Sequence, residues 1–186
     1  ARRAQTISSK DAGFIITKLG IGPGDTVLEA GLGSGGLSLH LAKVLGNSGH
    51  LVTAEPREEH ASVGLLNLNR ASKCFDEFPS HTHLEGFLEE VIPDLEFDSI
   101  VLDMPSHKAA IEACTPRMKF GARLACYAPT TAQLETCWKT CESAGLTVEW
   151  AGELMERQWG VTSKGGMRPV NGPFGHTAFL LFAQKR

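Results

Sequence analysis

The chain has one tyrosine and no Cys-x-x-Cys pair among its 186 residues. It has no apolar run near the roughly 20 residues that a membrane-crossing helix needs. No basic stretch followed by an apolar one opens it, so export is not expected. The expected location is the cytoplasm, or the mitochondrion if the source is eukaryotic. The cysteines are odd in number: Cys74, Cys114, Cys126, Cys137 and Cys141. Cys137 and Cys141 fall on one expected helix, where a metal pair would need two further ligands. Reduced thiols and no metal are therefore expected. An excess of basic residues is missing too: the formal net charge is -3 and the pI about 6.2. On average this argues against a strongly basic nucleic-acid binder. Internal repeats and low-complexity tracts are absent.

What is present is ordinary globular composition. Hydrophobic residues make up 42% and charged residues 21%, which excludes disorder and suits one domain. The charge is uneven. Nine acids and no Lys or Arg lie between Cys74 and His107, whereas Arg2, Arg3 and Lys10 at the start have no acid among them. Arg157, Lys164 and Arg168 form a second acid-free basic stretch. If the fold joins the two, a mildly acidic protein presents a local basic surface.

Apolar spacing and breakers place the elements. Ser8-Ser9-Lys10-Asp11 resembles an N-cap, before a helix through Phe14, Ile15, Ile16 and Leu19 that ends at Gly20. Further helices are expected over 35–45, 58–73, 108–118 and 131–143. Strands are expected over 26–30, 50–54, 82–85, 97–102, 123–127, 146–154 and 177–183. The alternation predicts an α/β fold of Rossmann-like class, a mostly parallel seven-stranded sheet with helices on both faces. The last two strands lack an intervening helix and should pair as an antiparallel C-terminal hairpin.

Glu29-Ala30-Gly31-Leu32-Gly33-Ser34-Gly35-Gly36 joins the first strand to its helix. Glycines there let backbone N–H groups approach a ligand closely. Gly31, Gly33 and Gly36 satisfy the GxGxxG dinucleotide fingerprint. Gly31, Gly33 and Gly35 behind Glu29 satisfy the ExGxGxG loop of S-adenosylmethionine enzymes. Glu55, ending the second strand, would serve ribose hydroxyls of either cofactor. Glu29 favours the methyl donor, because a carboxylate repels a pyrophosphate and attracts an ammonium. Arg57 and His60 are placed to flank the ribose or adenine, as surface residues at a helix start also would be. Gly86 and Phe87 are placed to frame the adenine, with a core phenylalanine as the alternative.

On the acceptor side, Asp103-Met104-Pro105 follows the fourth strand, where strand carboxyl ends line the crevice. Asp103 could accept a hydrogen bond from a base amino group or cap a turn. Tyr127 ends the fifth strand, to stack on a base or to pack in the core. Arg157, Trp159, Lys164 and Arg168 suit phosphates and an unstacked base, or a solvated loop.

Several of these segments together resemble the tRNA (adenine-N1)-methyltransferase family that acts at position 58 of the T loop. They are Arg2-Arg3-Ala4-Gln5-Thr6-Ile7, Lys10-Asp11, the glycine loop, Leu102-Asp103-Met104-Pro105, Ala128-Pro129-Thr130-Thr131-Ala132-Gln133, Arg168-Pro169 and Gly175-His176-Thr177-Ala178-Phe179-Leu180. The resemblance implies an S-adenosylmethionine-dependent enzyme with tRNA as partner, a homotetramer in bacteria and archaea, and no metal. It implies Asp103 as the catalytic residue and Gln5, the glycine loop and Glu55 as cofactor contacts. His176 would shape the site or hold the last strand. Ser8-Ser9 replaces the family's Tyr-Pro, and Ser106-His107 replaces a frequent Pro-Trp. One catalytic domain over 1–186 is expected, with the family's small N-terminal β-rich domain absent. Competing readings are a small-molecule methyltransferase, a non-catalytic RNA-binding subunit and a dehydrogenase.

Overall fold

The computed structural model describes residues 6–170 and 177–186. Helix α1 (Ser9–Leu19) begins where the Ser8 hydroxyl accepts from the Asp11 amide, and it ends at Gly20 in the left-handed region, φ 70°. Side-chain capping at the start and glycine at the stop satisfy the free amides and carbonyls of the helix ends. Then follow β1 (Thr26–Ala30), α2 (Gly36–Leu45), β2 (His50–Glu55), α3 (Glu58–Ser72) and β3 (Ser80–Glu85). The next elements are a short α4 (Leu88–Val91), β4 (Phe97–Leu102), α5 (Lys108–Cys114), β5 (Met118–Ala128) and α6 (Thr131–Ser143). Strands β6 (Leu146–Gly152), β7 (Trp159–Val161), β8 (Met167–Pro169) and β9 (Phe179–Lys185) close the chain.

Seven strands form one sheet in the order β3-β2-β1-β4-β5-β9-β6, and β7 with β8 makes a separate ribbon. Pairings from β3 through β5 are parallel; β9 is antiparallel to both β5 and β6. The antiparallel ending expected from sequence is present. Its connection is no simple turn, because it carries the β7–β8 ribbon and returns the chain between β5 and β6. The expected helix over 108–118 is shorter. A 3-10 turn over Thr115–Arg117 containing Pro116 follows Cys114, and Met118 already begins β5. Proline has no N–H to donate to the helix ladder.

Strands β1 and β2 are buried almost throughout, as central parallel strands covered on both faces must be. Successive side chains point to opposite faces. Leu28, Val52, Ile100 and Leu102 enter one core with Ala110, Ile111 and Cys137. Val27, Leu51 and Val101 enter the other, with Ile15 and Leu41. Contacts place α1, α2 and α3 together on one side and α4, α5 and α6 on the other. Strand order reverses between β1 and β4, and such a switch point opens a crevice at the carboxyl ends of the strands.

Candidate active site

Three strand ends are stitched together at that crevice. The Asp103 amide donates to Ala30 O at 2.8 Å and the Gly31 amide to Ala54 O at 2.9 Å. A β-carbon at Gly31 would fall 1.8 Å from Asp103 O, and Gly31 has φ +94°. Only glycine allows this approach. On the far side of the loop, a β-carbon at Gly64 of α3 would lie 2.8 Å from Gly33 O.

Two hollows open above these ends. The first, about 360 Å³, is lined by Glu29, Gly31, Gly33, Ser34, Gly36, His60, Asp103 and Gln133, and by Thr6 and Ile7. The second, about 390 Å³, is lined by Glu55, Gly86, Phe87, Leu88 and their neighbours. Gly31, Arg57, Asp103, Met104 and Pro105 border both. The two are therefore adjoining parts of one elongated site with Asp103 where they meet.

The charges are set by burial. Glu29 is buried and accepts a hydrogen bond from Ser38 Oγ. Burial, reinforced by the negative Asp103, pushes its carboxyl up to about 8 against the opposing bond from Ser38. Asp103 is pushed up to about 6 by burial, with His107 and Arg57 pulling it down and Glu55 adding to the rise. Burial also acts upward on Glu55, but hydrogen bonds from Arg57 and the Gly33 amide outweigh it and hold Glu55 below the usual carboxylate range. Glu55 Oε1 accepts from Arg57 N (3.2 Å) and Nε (2.7 Å), and Oε2 from Gly33 N (3.0 Å) and Arg57 Nη2 (3.2 Å). His60 Nδ1 is buried without a hydrogen-bond partner.

The structure thus gathers Glu29, Gly31, Gly33, Ser34, Gly36, Glu55, His60, Gly86, Phe87 and Asp103 around one crevice. Gly35, φ +75°, makes the left-handed turn into α2. Phe87 is 54% exposed, which removes the core-phenylalanine alternative. Tyr127 goes the other way. It is buried in the core beside α1, hydrogen-bonded to Thr177, with its phenol pushed to about 12 by burial. It lines neither hollow. Trp159 and Arg168 sit on the β7–β8 ribbon and, with Arg157, line neither hollow as well. Gln5 and His176 lie outside the described residues.

Sequence reasoning missed Ser38, which supports Glu29 from the first turn of α2. It also missed the part played by Gln133. The Thr130–Gln133 capping box starts α6 and leaves Gln133 Nε2 donating to Pro105 O at 3.2 Å. The Thr-x-x-Gln spacing was the available signal.

A family described as tRNA methyltransferase complex GCD14 subunit matches residues 1–165. The chain belongs to this family. Curated relatives include tRNA (adenine(57)-N(1)/adenine(58)-N(1))-methyltransferase TrmI of Methanocaldococcus jannaschii, 30% identical over 98% of this chain and 72% of that protein. The tRNA (adenine(58)-N(1))-methyltransferase TrmI of Thermus thermophilus is 32% identical, over 97% of this chain and 69% of its own length. Among solved structures, TrmI of Aquifex aeolicus, a tRNA (m1A58) methyltransferase, superposes with a TM-score of 0.84 at 25% identity, covering 100% of this chain and 72% of that one. An S-adenosylmethionine-dependent O-methyltransferase of Thermotoga maritima gives 0.87 at 29% identity, over 98% and 67%.

Fold and family imply S-adenosylmethionine for this GCD14-family chain, and the crevice fits it. Its two adjoining parts suit the methionine and adenosine halves. Glu29 is a buried carboxyl lacking a cation, His60 Nδ1 is a buried group lacking a partner, and a β-carbon at Gly31 would fill the floor.

Proposed function

We propose that the chain methylates N1 of adenine 58 in the T loop of tRNA. The observation that carries this reading is Asp103 at the junction of the two hollows, fixed by its backbone bond to Ala30. The first hollow holds the methionine half, with Glu29 facing the ammonium; Gly31, Gly33, Ser34, Gly35 and Gly36 shape the loop beneath it. Glu55 takes the ribose hydroxyls. Gly86 and Phe87 frame the adenine, and His60 donates to or accepts from the cofactor through Nδ1. Gln5 belongs to the same set. S-adenosylmethionine supplies an electrophilic methyl group when bound.

Asp103 accepts a hydrogen bond from the N6 amino group of the target adenine. That bond points the N1 lone pair toward the methyl side of the crevice. The carboxylate also offsets the positive charge that the base acquires. Its own ordinary ionisation near neutral pH survives burial because Arg57 and His107 oppose the rise. The pairing edge of a stacked base is out of reach, so the nucleotide must be turned out of its stack. Holding the partners in line is the main contribution of the protein. Arg157, Trp159 and Arg168 are the proposed tRNA contacts outside the crevice, and His176 is proposed as a further tRNA contact. Tyr127 is buried in the core and is not in that group.

Residues 1–186 are taken as one catalytic domain, assembling as a homotetramer in the cytoplasm. Among the described residues no helix is long and apolar enough to cross a membrane. The test is nucleoside mass spectrometry of unmodified tRNA incubated with S-adenosylmethionine and either the wild-type protein or Asp103→Ala. The reading requires 1-methyladenosine at position 58 from the wild type and a loss of at least about a hundredfold in the variant, as for removal of one oriented charge. Small phenols and amines, offered in parallel, should stay unmodified.

A further inference from the structure

Beneath the loop that follows Asp103, three elements converge on a cluster of thiols and one imidazole. His107 precedes α5, Cys126 lies on β5 and Cys137 on α6. One ligand atom from each lies within 4.8 Å of the others. All three residues are buried. The Cys126 thiol also reaches Cys141, one helical turn beyond Cys137 and equally buried. We propose that His107, Cys126 and Cys137, with Cys141 as fourth ligand, form a structural site for a thiophilic divalent ion, zinc.

The donor chemistry argues for that ion. One imidazole and three thiols with no carboxylate among them are a closed donor set typical of structural zinc and too soft for magnesium or calcium. A tetrahedral zinc with thiolate bonds near 2.3 Å holds its donors about 3.8 Å apart. Among His107, Cys126 and Cys137 the largest separation, 4.8 Å at most, needs a contraction of about 1 Å to reach that spacing; Cys141, which touches Cys126 but lies beyond that limit from at least one of the other two, must turn further. Side-chain rotation on three packed elements supplies it without a change of fold.

The surroundings argue the same way. A ligating histidine ordinarily gives its second ring nitrogen to a carbonyl or carboxylate, which fixes the ring. Here the carbonyls of Tyr127 and Leu102 both lie against the His107 ring, with Nε2 3.2 Å from Tyr127 O. A way in also exists. A hollow of about 210 Å³ borders His107 from outside, between Pro105 and Thr136. The expectation of no metal rested on Cys137 and Cys141 lacking two partners, and the fold brings them Cys126 and His107. An ion there would tie the Asp103–His107 loop to the sheet and to α6, and so restrain the carboxylate from below.

The test is cobalt titration of the reduced protein, because tetrahedral cobalt bound by thiolate shows charge-transfer and visible d–d bands. The expected result is saturation at one ion per chain, displacement of the bands by zinc, and a rise in melting temperature with zinc. Cys74→Ala, at an exposed thiol, should leave all three intact. Cys126→Ala and Cys137→Ala should each abolish the charge-transfer band, and Cys141→Ala should weaken binding and shift the d–d bands. Far-UV circular dichroism verifies that each variant is folded. Wild-type protein with no cobalt band overturns the site without reference to any variant. So do bands that persist in a folded Cys126→Ala/Cys137→Ala double variant, or a Cys126–Cys137 disulfide in the isolated protein. Every arm reads metal directly and is independent of methyl transfer.

Discussion

Thr177 Oγ1 donates to Asp11 Oδ2 at 2.6 Å across 166 positions of chain. The same carboxylate accepts from Ser8 Oγ at 3.0 Å and from Lys10 Nζ at 2.8 Å, and Lys10 reaches Thr177 as well, at 2.8 Å. Asp11 is fully buried, so these partners replace its water. The Lys10-Asp11 pair and the segment 175–180 that contains Thr177 are among the segments that carry the sequence resemblance. In the structure Lys10, Asp11 and Thr177 form one clamp that holds α1 against the chain just before β9. Tyr127 leans on the same group through its bond to Thr177, which is why it is unavailable to the crevice.

Removing Asp11 should therefore act on stability. Asp11→Ala leaves Lys10 and two hydroxyls facing an apolar gap. Loss of one partner of a buried ion pair costs about 3–5 kcal/mol. Thr177→Val removes one hydroxyl and should cost about 1–2 kcal/mol. Urea unfolding of both variants measures this. A cost for Asp11→Ala below about 1 kcal/mol, the level of an exposed ion pair, would show that the clamp is ornamental.

Two glycines make a paired prediction. A methyl group at Gly31 meets the Asp103 carbonyl at 1.8 Å, whereas one at Gly13 meets nothing within 4 Å. Gly31→Ala must push the β1 and β4 loops apart. It should lower S-adenosylmethionine affinity by at least about tenfold, about 1.4 kcal/mol, together with stability. Gly13→Ala, inside α1, should stabilise the fold by about 0.5–1 kcal/mol and leave binding alone. Calorimetry and thermal melts of the two variants separate local strain from any general intolerance of alanine.

Strand-end carboxylates were legible in the sequence because short loops leave them nowhere to go. Glu55 and Asp103 follow directly on buried runs of β2 and β4, Glu29 lies one residue before the end of β1, and a parallel sheet aligns such ends. The glycine loop was legible for the same reason. The direction of Tyr127 was not, because a residue at a strand end faces crevice or core according to register, and register here depends on β9, far along the chain. The placement of Arg157, Trp159 and Arg168 on a ribbon of their own was hidden as well. Three-residue strands in a glycine-rich loop leave too short a pattern to read. The gathering of His107, Cys126 and Cys137 depends on three elements from separate parts of the chain, so no local spacing encodes it.

Glu55 yields a prediction from hydrogen-bond capacity alone. A carboxylate offers about four lone-pair sites, and Arg57 with the Gly33 amide uses four. Ribose hydroxyls can bind Glu55 only if the Arg57 side chain swings away. The Arg57 side chain is 54% exposed, so it has room to do so. Arg57→Ala should then tighten S-adenosylhomocysteine binding by about two- to tenfold, or 0.4–1.4 kcal/mol. Weaker binding would mean that Arg57 itself holds the cofactor.

Glu29 links protonation to both folding and binding. Its carboxyl rises from 4.5 to about 8 on folding, chiefly through burial. The folded chain thus binds more protons at Glu29 than the unfolded chain does between those values. Stability then falls as pH rises through that window, with the full penalty present above about 8. Glu29→Gln keeps an acceptor for Ser38 and removes the charge, so it should flatten this part of the stability–pH curve and raise stability most at alkaline pH. A cationic ammonium beside Glu29 favours the ionised form. Binding of S-adenosylmethionine at pH 7 should therefore release a proton in the wild type and none from this position in Glu29→Gln. Calorimetry in buffers of different ionisation enthalpy reads the proton directly. Equal proton release by the two proteins would remove Glu29 from the ammonium site while leaving its effect on stability intact.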